Sequence, residues 1–496
     1  MPARVSVVCG QVVAYNTEPP YHPDTAWPEW ADRELSAGSN PAYRMVRQAL
    51  ADLGLDRAHF GSAQWNPMGD FIRAGETVVI KPNFVISRNR KGKTLDAIVT
   101  HPSVLRAVVD YVFLALEGRG RIVIADTPLM DCDWDELMRY ERLDTVIEYY
   151  RRVLAFPIEL YDLRSFQVID PDLPAYSTNR TPLPGDPKGM VKVDLGAQSA
   201  FSGLAGEERM YGADYDRKET IALHSGGRHE YHVSGTILSA DTVISVPKMK
   251  VHKKVGVTLN LKGLVGTVGN KNCLVHYRLG TPEEGGDQLP GTVAAQDLRL
   301  VRIQRWLMDR TLARQSGLGD WLYRAALNVY RVCIKSWRPV AATTHQWDNG
   351  NWSGNDSCWR MTADLARIFF FASAGGELLP SLQRKHFCVV DGVIGGEREG
   401  PLSAIPVAAG CIVAGEHPFA VDMVATRLMG FDVAKVKQFG AALSGHSDFG
   451  IGSLSEIDPV VNGSPVTANE FFGRGWRSPV PAFQPHPGWV GAIELK

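Results

Sequence analysis

Three consecutive segments restrict the fold most. Glu76 to Phe84 is a β-branched run, Val104 to Leu116 is an apolar-rich helical stretch, and Arg121 to Pro128 is β-branched again. Strand, helix and strand in that order make a βαβ unit, whose two strands lie parallel. A second set follows late in the chain, with strands at His386 to Gly392 and Cys411 to Gly415 and a helix at His417 to Met429 stopped by Gly430. The expected fold is α/β, with two lobes of mainly parallel sheet, a ligand cleft between them and a helical insertion in the second half. A chain of 496 residues is long for one core. The expected division is an N-terminal lobe over 1–270, a helical and loop insertion over 271–385, and a C-terminal α/β segment with a wrapping tail over 386–496.

Between the two sets lies the segment that speaks most directly to function. Thr242 to Pro247 reads as a buried strand that delivers a loop. The segment from Asp241 to Glu283 contains no other acid, yet it carries Lys248, Lys250, Lys253, Lys254, Lys262, Lys271 and Arg278, with His252 and His276 among them. The chain as a whole is near neutral, with a formal charge of −1. Seven cations in one acid-free segment therefore attract anions, and its glycines let backbone N–H groups approach them. Val255, Val257, Leu259, Leu261 and Leu264 alternate with the polar residues and pin the loop to a core. The expected anion-binding residues are Lys81, Asn83, Lys248, Lys250, Thr258 and Asn260, with a phosphate- or carboxylate-bearing small molecule as ligand. His252, His276 and Lys262 are the catalytic candidates. Histidine titrates near neutrality, and a desolvated lysine is a nucleophile.

Other loops add candidates. Lys81-Pro82-Asn83 ends one strand, and the next loop brings Arg88, Arg90, Lys91 and Lys93 to the same end of the sheet, where ligands of open α/β sheets bind. Asp126 and Asp391 also end strands and are candidates to hold a divalent metal or to orient lysines. Asp131 to Glu136 reads as either a metal site or the acidic first turn of a helix. Tyr15 to Asn40 and His345 to Trp359 have the composition of lids, and two Arg-bearing helices are expected at Asp297 to Leu312 and Trp321 to Trp337. His224, His345 and His446 are expected at the surface. The seven cysteines are scattered, with no C-x-x-C pair and no iron–sulfur spacing, so no iron–sulfur cluster is expected. There is no apolar run of about 20 residues and no leader-like N-terminus, which points to a cytoplasmic protein without a membrane span. Net charge argues against nucleic acid as the main partner. A homo-oligomer is compatible with the chain.

The combination KPN, THPSVLRAVVDYV, IVIADTP, VISVPKMKVHKKVGVTLNLKG, VVDGVIGGEREGP and AGEHPFAVDMVATRLMGF resembles the bacterial and archaeal family catalogued as domain of unknown function 362. A more distant resemblance is to the nickel-pincer lactate racemases, in which a histidine, a Gly-rich turn, a lysine ten residues on and a second histidine follow a strand. His252, Gly256, Lys262 and His276 fall in that order here. That resemblance implies a pincer nucleotide anchored on Lys262 and histidines that ligate nickel or move the proton. The racemase histidine expected near Ala125 to Pro128 has no counterpart. The residues therefore lead to an enzyme of bacterial biosynthetic metabolism that acts on an anionic small molecule by histidine acid/base or metal-assisted chemistry. The alternatives are a non-catalytic binding or accessory protein for a phosphorylated intermediate, and a nickel-pincer-type 2-hydroxy acid isomerase.

Overall fold

The structure, a computed structural model, describes residues 2–10, 13–30, 33–169, 179–212, 216–293, 298–299, 301–303, 306, 310, 317–329, 348–443 and 451–495. Twelve strands form its central sheet: β1 (Ala3–Cys9), β2 (Thr77–Pro82), β3 (Arg121–Asp126), β4 (Ile158–Asp162), β5 (Thr242–Val246), β6 (Lys248–His252), β7 (Gly256–Val257), β8 (Lys385–Glu397), β9 (Ile405–Val407), β10 (Cys411–Gly415), β11 (Ile457–Val461) and β12 (Ser464–Pro465). Their order is β12-β11-β1-β10-β8-β5-β2-β3-β4; β6 and β9 also pair with β8, and β7 pairs with β6. The run β8-β5-β2-β3-β4 is parallel, while β10 lies antiparallel between β1 and β8.

The α/β class stands, but the strands assigned to two lobes lie in one sheet. Ile244 of β5 pairs with Phe387 of β8 and with Ile80 of β2, so the seam crosses both expected boundaries. The sequence pattern has a local reason for missing this. Each βαβ set closes on its own neighbours, and no short-range pattern around a strand states that the two sets share an edge.

Strand alternation sorts the side chains onto two faces. Val79, Val123, Val243, Val390 and Val413 face one core; Val78, Ile80, Ile122, Ile244, Val389 and Ile412 face the other. Helices α1 (Pro41–Asp52) and α2 (Pro102–Leu116) cover the second face, and α4 (Cys358–Phe371) and α5 (Pro418–Leu428) cover the first. Both faces of the sheet are thus buried, as parallel strands require. No described helix is long and apolar enough to cross a membrane. The expected helix Asp297 to Leu312 falls mostly outside the described residues, as does 330–337 of the next one. The described helix there is Gly317–Val329.

One short helix matters out of proportion to its length. After β7 the chain enters α3 (Leu259–Gly263), which is only five residues long. Gly256 opens β7 at φ +88°, and Leu259, the first residue of α3, is held at φ +47°, a region that a branched side chain seldom adopts. Asp422 of α5 accepts the backbone N–H groups of Asn260 (2.9 Å) and Leu261 (2.8 Å). A buried carboxylate thus satisfies two amides that the first turn leaves open. This fixes α3, and with it Lys262, against the sheet.

Candidate functional site

A cavity of about 340 Å³ opens at the carboxyl ends of β2 and β3, walled by β6 and α3. Asn83 and Asp126 come from the strand ends, Lys250 and His252 from β6, Thr258 and Lys262 from the β7–α3 region, and Lys271 and His276 from the segment that follows. All three catalytic candidates therefore share one cavity. Of the expected anion-binding residues, Asn83, Lys250 and Thr258 line it.

The others lie elsewhere. Lys81 donates to Asp126 Oδ1 (2.9 Å) behind the wall, and Phe84 N–H fills Asp126 Oδ2 (2.7 Å). Lys248 is fully buried and donates to Asp391 Oδ2 (2.9 Å) and to the Tyr15 hydroxyl (2.6 Å). Tyr15 in turn donates to Asp391 Oδ1 (2.6 Å), and His101 N–H donates to Oδ2 (2.9 Å). Asp126 and Asp391 are thus acceptors for buried lysines and backbone amides. Among the described residues no three His, Cys, Asp or Glu side chains converge as a metal site. Asn260 is buried within α3, with both side-chain amide atoms unpartnered among the described residues. Asp131 to Glu136 resolves as the start of a helix, with Asp133 as its cap.

Of the second basic loop, Arg90 reaches the cavity while pairing with Asp131 (2.7 Å); Arg88 pairs with Glu136 and Lys91 with Glu399. The Tyr15 to Asn40 segment does not line the cavity, whereas Asn349 and Asn351 of the second expected lid do. His345 and His446 lie outside the described residues. His224, expected at the surface, is instead fully buried against His229, their Nδ1 atoms 3.3 Å apart.

The two cavity histidines are held in opposite tautomers. Lys254 N–H donates to Nδ1 of His252 (3.1 Å), so the neutral ring carries its proton on Nε2. Nδ1 of His276 faces the Leu274 carbonyl (2.8 Å), which only accepts, so Nδ1 holds the proton and Nε2 is bare. Burial, then the charge of Lys262, pushes both rings well below the ordinary histidine value. Both are neutral at pH 7. One presents a donor and the other an acceptor.

The lysines differ from one another in the same way. Lys250 donates to the Ile98 carbonyl and Lys254 to the Asn349 carbonyl. Lys271 donates to the carbonyls of Thr127 (3.0 Å), Val265 (3.2 Å) and Val268 (2.9 Å), while burial pushes its amine down to about 7. Burial lowers Lys262, and burial followed by Lys248 lowers Lys250 much further. The cause is general: several ammonium groups share one buried site with few carboxylates.

Among the described residues, the buried lining oxygens Asn83 Oδ1, Thr127 Oγ1 and Asn351 Oδ1 have no hydrogen-bond partner. Buried polar atoms are rarely left so, which makes them candidates to meet a ligand. Sequence reasoning missed Thr127, Lys271, Asn351 and Asp422. Lys271 stood in the basic segment and was legible there. Asp422 sits inside an apolar helix that gives no hint of its partners in α3.

The profile of the family described as Domain of unknown function (DUF362) matches residues 78–173 and 184–427, most of the chain. The matched range includes every residue of the β6–α3 wall. No curated protein and no solved structure matches.

Proposed function

Since the chain belongs to the DUF362 family, whose function is undefined, the site itself must supply the reading, and we propose that the protein is an enzyme acting on an anionic small molecule held in this cavity. The observation that carries the proposal is the pair of histidines fixed in opposite tautomers in one basic cavity. The ligand's phosphate or carboxylate lies among Lys250, Lys254 and Lys271. His276 Nε2 takes a proton from the bound molecule. His252 Nε2–H, as a neutral imidazole, hydrogen-bonds the oxygen on which charge develops. General acid–base groups so placed contribute about 10²–10⁴ in rate. The setting is small-molecule biosynthetic metabolism in the cytoplasm.

A test of this reading can be run before any product is identified. Phosphorylated sugars and 2-hydroxy and 2-oxo acids are incubated with the protein in D₂O, and proton spectra are followed for loss of a C–H signal. Exchange is expected with at least one compound. His276→Gln should abolish it while leaving affinity within about threefold, as loss of a group needed only in the transition state does. Binding without exchange in the wild-type protein would favour the accessory, non-catalytic reading. A second reading has one observation in its favour. Lys262 lines the same cavity as both histidines, which supports its anchoring a pincer nucleotide covalently. Only His252 and His276 would then face nickel, so the group must bring its other ligands. Intact mass after denaturation separates this reading, since a mass excess on Lys262 would survive.

A further inference from the structure

Lys262 differs from Lys81, Lys248, Lys250, Lys254 and Lys271. Lys81 and Lys248 are spent on Asp126 and Asp391, and Lys250, Lys254 and Lys271 on backbone carbonyls. Lys262 lines the cavity, is 5 % exposed, and its amine has no hydrogen bond or ion pair among the described residues. The Lys262 amine reaches the cavity surface without a protein acceptor among the described residues, so a bound molecule is the group placed to meet it. Its backbone is also held unusually firmly for so short a helix, by Asp422 on the first turn and by the left-handed Leu259. A residue that served only to attract anions would need neither isolation nor this support; surface lysines do that work.

We infer that Lys262 is a nucleophile that forms an imine with the oxo group of an anionic substrate, which deepens the proposed function and rests on the cavity's being the ligand site. The substrate class is an aldehyde or ketone that bears a phosphate or carboxylate. Unpartnered Asn83 Oδ1 and Asn351 Oδ1 accept only, and with Thr127 Oγ1 they suit a molecule that also carries hydroxyls. The lowered basicity of Lys262 agrees, because the free amine and not the ammonium attacks.

The step balances without a further reactant. The Lys262 nitrogen lone pair forms a bond to the carbonyl carbon, and the C=O π pair moves to oxygen, which His252 Nε2–H hydrogen-bonds. His276 Nε2 takes a proton from the new N⁺ and passes it to that oxygen, giving the carbinolamine. The nitrogen pair then closes C=N as the C–O bond breaks, and the N–H proton of the resulting iminium passes through His276 to the departing oxygen, which leaves as water. Both amine hydrogens end in the water released, and nothing is oxidised or reduced.

The experiment is reductive trapping. Full-length protein is incubated with cyanoborohydride and, separately, pyruvate, glyoxylate and glyceraldehyde 3-phosphate, and adducts are mapped by peptide mass spectrometry. In parallel, inorganic phosphate binding is measured by calorimetry on the wild type and on Lys262→Arg. The inference expects a reduced adduct on Lys262 about tenfold or more faster than on the remaining lysines. It expects phosphate to suppress that adduct. Lys262→Arg, folded by its melting curve, should keep phosphate binding within about fivefold and lose the adduct. Phosphate binding with no preferential adduct at Lys262 for any probe overturns the imine and leaves the anion site standing. Neither binding nor adduct overturns both.

Discussion

At the scale of single residues, the site is a set of cations that burial discourages from carrying charge. An anion that enters opposes this at the lysines that take no part in the chemistry, because it favours the protonated forms of Lys250 and Lys271. The bound state therefore holds more protons than the empty one, and affinity rises as pH falls. Calorimetry with inorganic phosphate in buffers of different ionisation enthalpy should show net proton uptake, with affinity falling by up to about tenfold per pH unit for each proton linked. Flat pH dependence and no uptake would mean that the cavity binds no anion near these groups. A second residue-scale prediction concerns Gly266. A Cβ there would overlap Asp126 Oδ1 and lie 2.6 Å from Lys81 Nζ. Gly266→Ala must break the buried pair, and chemical denaturation should show a loss of about 3–5 kcal/mol. Much at this scale was legible. His252, Lys262 and His276 stand within one acid-free segment, and short separation made their convergence readable. Lys248 was misplaced for a physical reason. Alternation sets residues 248, 250 and 252 on one face, but the pairing register with β8 shifts between Lys248 and Lys250. Lys248 then meets Asp391, a partner 143 positions away that no local pattern names.

At the scale of elements, α3 shows what local sequence leaves out. Five residues do not make a stable helix, since nucleation alone outweighs so few hydrogen bonds. The basic, glycine-bearing stretch accordingly read as a loop. What makes it a helix is Asp422, 162 positions from Asn260 and fully buried in α5. Burial pushes this carboxyl up to about 8, against the opposing effect of the Leu261 and Asn260 amides. The sign of the pH effect follows. A carboxyl with its folded pKa above the unfolded value of about 4 binds more protons when folded. Its contribution to stability is whole below about pH 4 and is lost as pH rises to about 8. Asp422→Asn, which keeps an acceptor but cannot ionise, should flatten the stability profile over that window in urea titrations. Asp422→Ala should cost about 1–2 kcal/mol below about pH 4, a cost that shrinks as pH rises to about 8, and weaken phosphate binding in the cavity. If Asp422→Ala left both stability and binding unchanged, α3 would not depend on this cap. The strands of β2, β3, β5, β8 and β10, by contrast, were legible, because each is a β-branched run with a turn residue or polar loop at its end.

At the scale of the whole molecule, the sheet order decides whether the chain can be divided. β1 opens the sequence, yet both its neighbours come from the far end of the chain: Val7 pairs with Val413 of β10 and with Val461 of β11. β8 bridges the halves, with β5 on one side and β10 on the other. A fragment of residues 1–270 would keep β5-β2-β3-β4 but expose the full length of β5 as an apolar edge, and it would leave β1 with nothing to pair to. Such an edge invites association, since every N–H and C=O along it is unpaired. The fragment should therefore be recovered aggregated, or monomeric only when residues 271–496 are co-expressed. Hydrogen exchange provides the direct measurement. In the full chain, amides of Ala3–Cys9 should exchange together with those of β8 and β10, at the free energy of global unfolding. In any soluble 1–270 preparation the same amides should exchange at the rate of an open chain. If instead β1 were protected in the isolated fragment, or if the full chain unfolded in two separable steps with β5 and β8 in different ones, the single sheet would not be the cooperative unit. The cavity at its strand ends would then be a junction between independently stable parts, held open or shut by their contact alone.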